Sequence, residues 1–256
     1  MLPITLRPQK NYKLIRLGNK YDGGYLVDET SIKESEFLVS GGIFYDFKFE
    51  HDYISLTNNS IYCFDHIINP FKYILLWILI LIKRLIFFEN KEKLLKAKKN
   101  IVKPIKFLQF VRKKKVNYEK KGIGNDSTNI YSLDTILKKI ASKKKYFLKI
   151  DIEGDEYKIL NQIINNSEYL TGLVIEFHNV SKNIKQIEIF INKLPLELIY
   201  IHSNNAGEVN EYNDPEIIEL SFSKFVLSNS NDKFKKHKLD FPNNPYKKEI
   251  NLNFLE

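Results

Sequence analysis

Short apolar runs alternate with amphipathic stretches along the chain, and several of the runs end in glycine or a carboxylate. Glu36 to Gly42 (EFLVSGG) reads as a buried parallel strand feeding a tight turn at paired glycines. Ser60 to Ile67 (SIYCFDHI) reads as a second strand, with Asp65 near its end. Lys115 to Lys120 reads as a strand with a weaker apolar pattern, followed by the turn Gly122-Ile123-Gly124-Asn125. Over Ser132 to Ile140 (SLDTILKKI) the spacing predicts a helix capped by Ser132, with Leu133, Ile136, Leu137 and Ile140 on one face. Tyr146 to Ile152 (YFLKIDI) then runs through Asp151 into Glu153-Gly154 and a helix near Asp155 to Asn165. The pattern repeats in Gly172 to Phe177 (GLVIEF), His178 and a helix around Lys182 to Leu194, where Ile184, Ile187, Ile191 and Leu194 share a face. Leu196 to His202 and Ile217 to Ser223 are the last strands, joined by a polar loop without a helix.

Strands alternating with helices predict an α/β fold with a doubly wound, mostly parallel sheet. The helix-free final connection predicts an antiparallel hairpin at one edge. In open sheets of this kind ligands bind outside the carboxyl ends of the strands. Gly41, Asp65, Asp151, His178 and His202 all fall at or just after a strand end, so one fold brings them to one rim. Residues 68–114 break the rhythm. Tyr73 to Ile82 (YILLWILILI) is apolar throughout, and Lys83 and Arg84 separate it from Leu85 to Phe88. A membrane span needs ~20 apolar residues, so the segment 73–88 is expected to be a core helix, a lid over the substrate, or an interfacial helix whose basic neighbours meet anionic lipid. Core or lid is preferred. One domain is expected over 1–256, with an N-terminal extension at 1–35, the helical insertion at 68–114 and a C-terminal tail at 225–256.

Composition changes this picture little. A chain of 256 residues fits one α/β domain with a real core. The single Cys63 excludes a disulfide framework and a cysteine zinc site, and fits a reducing compartment. Met1 to Lys20 has no leader pattern, so a cytoplasmic protein is expected, peripheral at the inner face of the membrane if 73–88 meets lipid. The formal charge is +9, with clusters at Lys91 to Lys99, Arg112 to Lys115, Lys143 to Lys145 and Lys233 to Lys238. Spread in this way it reads mainly as solvated surface. The basic runs lack an interleaved aromatic platform and there is no Asn/Asp-Pro-Pro-aromatic motif, so no nucleic-acid partner is expected.

The candidate chemistry lies at the strand ends. Asp65 can accept both hydroxyls of a ribose, or cap a turn. Gly41 and Gly42 let backbone approach a ligand, although Ser-Gly-Gly also occurs in ordinary turns. The absence of GxGxxG and of a P-loop lysine counts against a dehydrogenase or an NTPase. Asp151 and Glu153, two residues apart before a turn glycine, could orient a charged ligand, hold a divalent cation through oxygen ligands, or supply a base. Glu153 could instead be a helix cap. At the next strand end a neutral His178 imidazole could accept a hydroxyl proton, or be structural. His202, followed by Ser203, Asn204 and Asn205, has a similar place with amides suited to polar substrates. His51, His66 and His237 show no metal-ligand spacing with these.

Ser132-Leu133-Asp134, then Leu148 through Glu156 (LKIDIEGDE), then Ile175-Glu176-Phe177-His178 resemble the signature of FkbM-type methyltransferases. Asp22-Gly23-Gly24-Tyr25, Ser40-Gly41-Gly42 with Asp46 and Glu50, His202 to Asn205 and Pro215 to Leu220 resemble a subgroup of that family. The matches run from about Leu17 to about Pro245, interrupted mainly at 68–114. The resemblance implies a Rossmann-like, seven-stranded class I methyltransferase sheet holding S-adenosylmethionine, with methyl transfer to a hydroxyl of a sugar, glycan or secondary metabolite. It further implies that Gly41 and Gly42 border the methionine part, Asp65 takes the ribose and the turn Gly124, Asn125, Asp126 takes the adenine. Ser40, Asp46 and Asp151 complete the expected cofactor contacts. Asp22, Tyr25, Glu153, His178, His202, Asn204 and Asn205 fall to the acceptor, and Asp151 and His178 face it as candidate bases. A divalent metal at Asp151 is the lesser alternative to a metal-free site. Val39-Ser40-Gly41-Gly42-Ile43 departs from the family at the first glycine loop, lacking its acidic residue and third glycine. A non-catalytic protein that binds a membrane surface and keeps this fold is the competing expectation.

Overall fold

The computed structural model describes residues 1–87, 91–140, 143–225 and 234–255, and not the side chains at 91, 93, 94 and 96–99. Phe88 of the predicted apolar segment and 226–233 of the predicted tail lie outside the described residues. The chain opens with an antiparallel hairpin, β1 (Leu14–Gly18) and β2 (Gly24–Asp28), turned at Tyr21-Asp22-Gly23. Asp28 then caps α1 (Glu29–Lys33) by accepting the Thr30 and Ser31 N–H groups, and it also accepts the Ser223 hydroxyl at 2.8 Å. This hairpin falls in the expected extension, yet every residue of β2 is buried.

The main sheet follows. β3 (Phe37–Gly41), α2 (Lys48–Thr57), β4 (Ser60–Phe64), α3 (Pro70–Ile86), α4 (Lys91–Val111) and β5 (Val116–Glu119) build one half. After a small parallel pair, β6 (Gly122–Ile123) with β7 (Ile130–Tyr131), come α5 (Leu133–Ile140), β8 (Tyr146–Ile150), α6 (Leu160–Asn165), β9 (Leu170–His178), α7 (Val180–Lys193), β10 (Glu197–Ser203) and β11 (Ile217–Ser223). Spatial order is β10-β11-β9-β8-β3-β4-β5. All neighbours are parallel except β11, which runs antiparallel to both β9 and β10. The predicted hairpin is therefore present, with the reversed strand inside it and β10 at the edge.

The central strands are buried on both faces, which is why they read as continuous apolar runs. Phe37, Val39, Tyr146, Leu148 and Ile150 join one core cluster with Ile136, Ile163, Phe177 and Phe190. The alternate residues Leu38 and Phe147 join the other with Phe49, Tyr53, Ile61, Phe107 and Phe110. That second cluster takes the end of α4, whereas α3 has no buried residue, which overturns its reading as a core helix.

Candidate functional site

Three strand ends meet at Gly42. Its N–H donates to the Phe64 carbonyl at the end of β4 (3.0 Å), while the Asp151 N–H beyond β8 donates to the Gly41 carbonyl (3.1 Å). Gly42 has φ +75°, and a Cβ there would lie 1.5 Å from the Asp151 carbonyl oxygen, so the junction admits only glycine. Above it opens a cleft of about 430 Å³, in the range of small-molecule sites. Asp22, Gly42, Asp46, Asp65, Asp151 and Glu153 of the expected residues line it, together with Phe44, Ile123 and Lys149.

Asp65 combines both of its expected uses. Its carboxylate accepts the Phe44 N–H (2.9 Å) from the β3 loop and those of Ile67 (2.8 Å) and Ile68 (3.2 Å) from its own turn, and it lines the cleft. Asp151 is held from the side by Tyr25, whose hydroxyl donates to Oδ2 at 3.3 Å, so Tyr25 is buried and positions Asp151 from beneath the cleft. Asp151 Oδ1 is sealed from solvent without a hydrogen-bond partner. Burial pushes this carboxyl above the ordinary aspartate value, against the opposing field of Lys149.

Lys149 lies within the LKIDIEGDE motif, and its sequence position alone implies no role. It is buried inside β8 with Nζ 3.6 Å from Glu50 Oε1 and 3.4 Å from the Gly42 carbonyl. Glu50 and Asp151 outweigh its desolvation and keep it charged. Ser40 donates to the same Glu50 oxygen at 2.6 Å, so Ser40 belongs to this buried network and lies outside the cleft lining. A lysine in an otherwise apolar buried strand demands a buried partner, and that was the signal available for Glu50.

His178 stands among carboxylates. Nδ1 is 3.1 Å from Glu156 Oε1, and Nε2 is 3.3 Å from Glu176 Oε1 and 3.5 Å from Glu153 Oε2. Burial alone would lower its pKa, but Glu156 and Glu176 overcome that and raise it to about 10. Both His178 and Glu176 are shifted upward, Glu176 to about 8 by burial. Several carboxylates converge on the imidazole and favour its protonated form. A neutral His178 accepting a proton is therefore corrected: at neutral pH the ring is an imidazolium. Glu156 also accepts the Gly154 and Ile152 N–H groups, ordering the turn where Glu153 adopts φ +56°. One ligand atom each of Asp151, Glu153 and His178 lies within 4.8 Å of the others, so these are the described residues that could hold a cation.

The remaining expected residues are drawn elsewhere. Asp126 accepts the Ser132 N–H (2.6 Å) and the hydroxyls of Ser132 and Thr135, which makes it part of the α5 cap. Gly124 and Asn125 bond to Gln162 of α6, and the cleft is lined instead by Gly122, Ile123 and Ile130. Gly41 packs against Ile123 and Ile150. His202 is bridged between Asp240 and Asn243 (both 2.6 Å), and Asn205 grips the carbonyls of Asn244, Lys247 and Lys248. Asn204 accepts the Ala206 N–H and reaches Glu176 only at 3.4 Å. His202 and Asn205 hold the tail against β10, and none of these three residues lines the cleft.

Residues 97–220 match the family profile described as methyltransferase FkbM domain. No curated protein sequence matches the chain. Among solved structures it is similar to an rRNA methylase from Streptococcus thermophilus (9% identity, 77% of this chain and 92% of that one, TM-score 0.40). It is also similar to a precorrin-6y C5,15-methyltransferase from Geobacter metallireducens (10% identity, 76% and 84%, TM-score 0.36). A third similar chain is Sp1610 from Streptococcus pneumoniae in complex with S-adenosyl-L-methionine (9% identity, 78% and 72%, TM-score 0.40). These likenesses are too low to bear on chemistry. Over residues 97–220 the chain is thus similar to the FkbM methyltransferase domain, and its strand order is that of a mostly parallel, seven-stranded Rossmann-like sheet.

Proposed function

We propose that the protein transfers the methyl group of S-adenosylmethionine to a hydroxyl oxygen on a sugar, glycan or secondary metabolite. The observation that carries this reading is the junction of β3, β4 and β8, where Gly42, Asp65 and Asp151 share one cleft. The residues fit a cationic nucleotide cofactor. Gly42 lets backbone come close, Asp65 has lone pairs left for ribose hydroxyls after three N–H bonds, and Asp22, Asp46 and Asp151 supply negative charge.

When bound, the cofactor supplies an electrophilic methyl carbon, whose bond to sulfur breaks as its bond to the acceptor oxygen forms. The chain's task is to align that oxygen, exclude water and take the hydroxyl proton. Asp151 is the base in this scheme, because its Oδ1 is unpartnered and burial raises its proton affinity. Tyr25 fixes the other oxygen, and the His178 imidazolium beside it keeps the carboxylate ionised until the proton arrives.

Calorimetry with S-adenosylmethionine and transfer of its labelled methyl group to sugar acceptors test the reading together. The intact protein binds the cofactor, and Asp65→Ala weakens binding about tenfold or more through the loss of a charged acceptor. Asp151→Asn lowers turnover on the order of 10²-fold or more. No binding heat with the intact protein would overturn the proposal, and unchanged turnover in Asp151→Asn would remove Asp151 as the base.

A further inference from the structure

The helical insertion presents a surface that the methyl-transfer reading does not use. Helix α3 packs along α4, and Ile74, Trp77 and Leu81 on one side of it are half-buried. The opposite side carries Phe71, Leu75, Leu79, Ile82, Leu85 and Ile86, which are between 47% and 71% exposed. Their spacing of three and four places them in one stripe along the helix. A continuous apolar stripe of this length in water is a contact surface waiting for a partner.

The charge around the stripe selects that partner. From Pro70 to Lys115 the sequence has fourteen basic and two acidic residues, while the rest of the chain has 26 basic and 29 acidic. The whole positive excess of the protein is therefore concentrated in the insertion, and the sheet domain is slightly acidic. Lys72 and Lys83 are exposed on α3 itself. Aliphatic stripe and surrounding lysines match an anionic bilayer, in which the first enters the acyl boundary and the second meets the headgroups. A second copy of the same hairpin would bring two strongly positive surfaces together, which like-charge repulsion opposes. Nucleic acid would meet aliphatic side chains where it needs stacking rings.

The helix lies on such a surface and does not cross it. Its 17 residues span about 25 Å, less than a hydrocarbon core. Among the described residues no helix is long and apolar enough to cross a membrane. We infer that the α3–α4 hairpin docks the protein on the surface of an anionic lipid bilayer. The hairpin is rooted at the cleft: Tyr73 in its first turn packs against Tyr45 and Phe44, ring centroids 5.4 and 6.4 Å apart, and Phe44 lines the cleft. Docking thus holds the cleft beside the membrane.

Flotation of the full chain with vesicles tests this independently of any methyl transfer. Vesicles of phosphatidylcholine mixed with phosphatidylglycerol should carry the protein upward, with at least a tenfold smaller bound fraction on phosphatidylcholine alone or in high salt. Leu75→Glu with Leu79→Glu should abolish flotation while circular dichroism stays unchanged. Lys72→Glu with Lys83→Glu, which leaves the apolar stripe intact, should weaken it. Intact protein that stays out of both vesicle types overturns the inference. So does a concentration-dependent dimer, or binding to RNA, that Leu75→Glu with Leu79→Glu abolishes while vesicle binding is absent.

Discussion

Asp151 and His178 sit at neighbouring strand ends, as their places in two repeated βα units require, and yet their environments assign them opposite charges. Asp151 has an unpartnered buried oxygen, whereas the His178 ring is boxed in by Glu156, Glu176 and Glu153. The consequence for stability has a definite sign. The His178 pKa in the folded protein, about 10, lies above its ordinary 6.5, so folding binds an extra proton between those values. Its contribution is complete below about 6.5 and is lost as pH rises through about 10. Glu176, raised to about 8, has the same sign over a lower range. Thermal unfolding should therefore show a Tm that falls from a pH of about 6.5 to about 10, and His178→Gln should make that fall shallower. An identical pH profile in the variant would mean that the ring is neutral in the folded protein.

At the scale of elements, the βα units around β8 and β9 follow the sequence closely because each is a local pattern with its own start and stop. Ser132 caps α5 as its position predicts, accepting the Thr135 N–H at 3.1 Å. Asp126 completes that cap from the preceding turn, the place where the family resemblance expects an adenine contact. The two roles separate in one variant. Asp126→Ala should lower the denaturant midpoint, as loss of a helix cap does, and leave S-adenosylmethionine affinity within twofold. A loss of affinity without loss of stability would restore the cofactor role. Strand β2 and helix α3 mark the opposite case: GYLVD is fully buried and no residue of YILLWILILI is, because hydrophobicity states what a segment can bury and not what the rest of the chain offers it.

For the whole molecule, the two ends of the chain close over the β10 edge. Leu2 and Leu255 exchange backbone bonds across the termini, the Leu2 N–H reaching the Asn253 carbonyl and the Leu255 N–H reaching the Leu2 carbonyl, both at 2.8 Å. Asn205, only 2% exposed, donates to three tail carbonyls and accepts the Asn244 N–H. Asn205→Ala strands these buried groups and should lower stability by about 1–3 kcal/mol while kcat is unchanged. If kcat falls and stability does not, Asn205 touches the acceptor as its strand-end position suggested.

From its sequence alone the chain determined the succession of strands and helices, the helix-free final hairpin and the carboxylates at the ends of β4 and β8. Those features are set by periodicity and turn chemistry over a few residues, which any stretch carries with it. Only the tertiary structure decided that β11 inserts between β9 and β10, that Ser40 answers Glu50 and Lys149, that Tyr25 reaches Asp151 across 126 positions, and that His178 is charged. Burial, pairing and protonation depend on neighbours brought from far along the chain. Six strand-end groups that look alike in the sequence, Gly42, Asp65, Asp151, His178, His202 and Asn205, therefore came to serve a cleft, a buried ion cluster and a tail clasp.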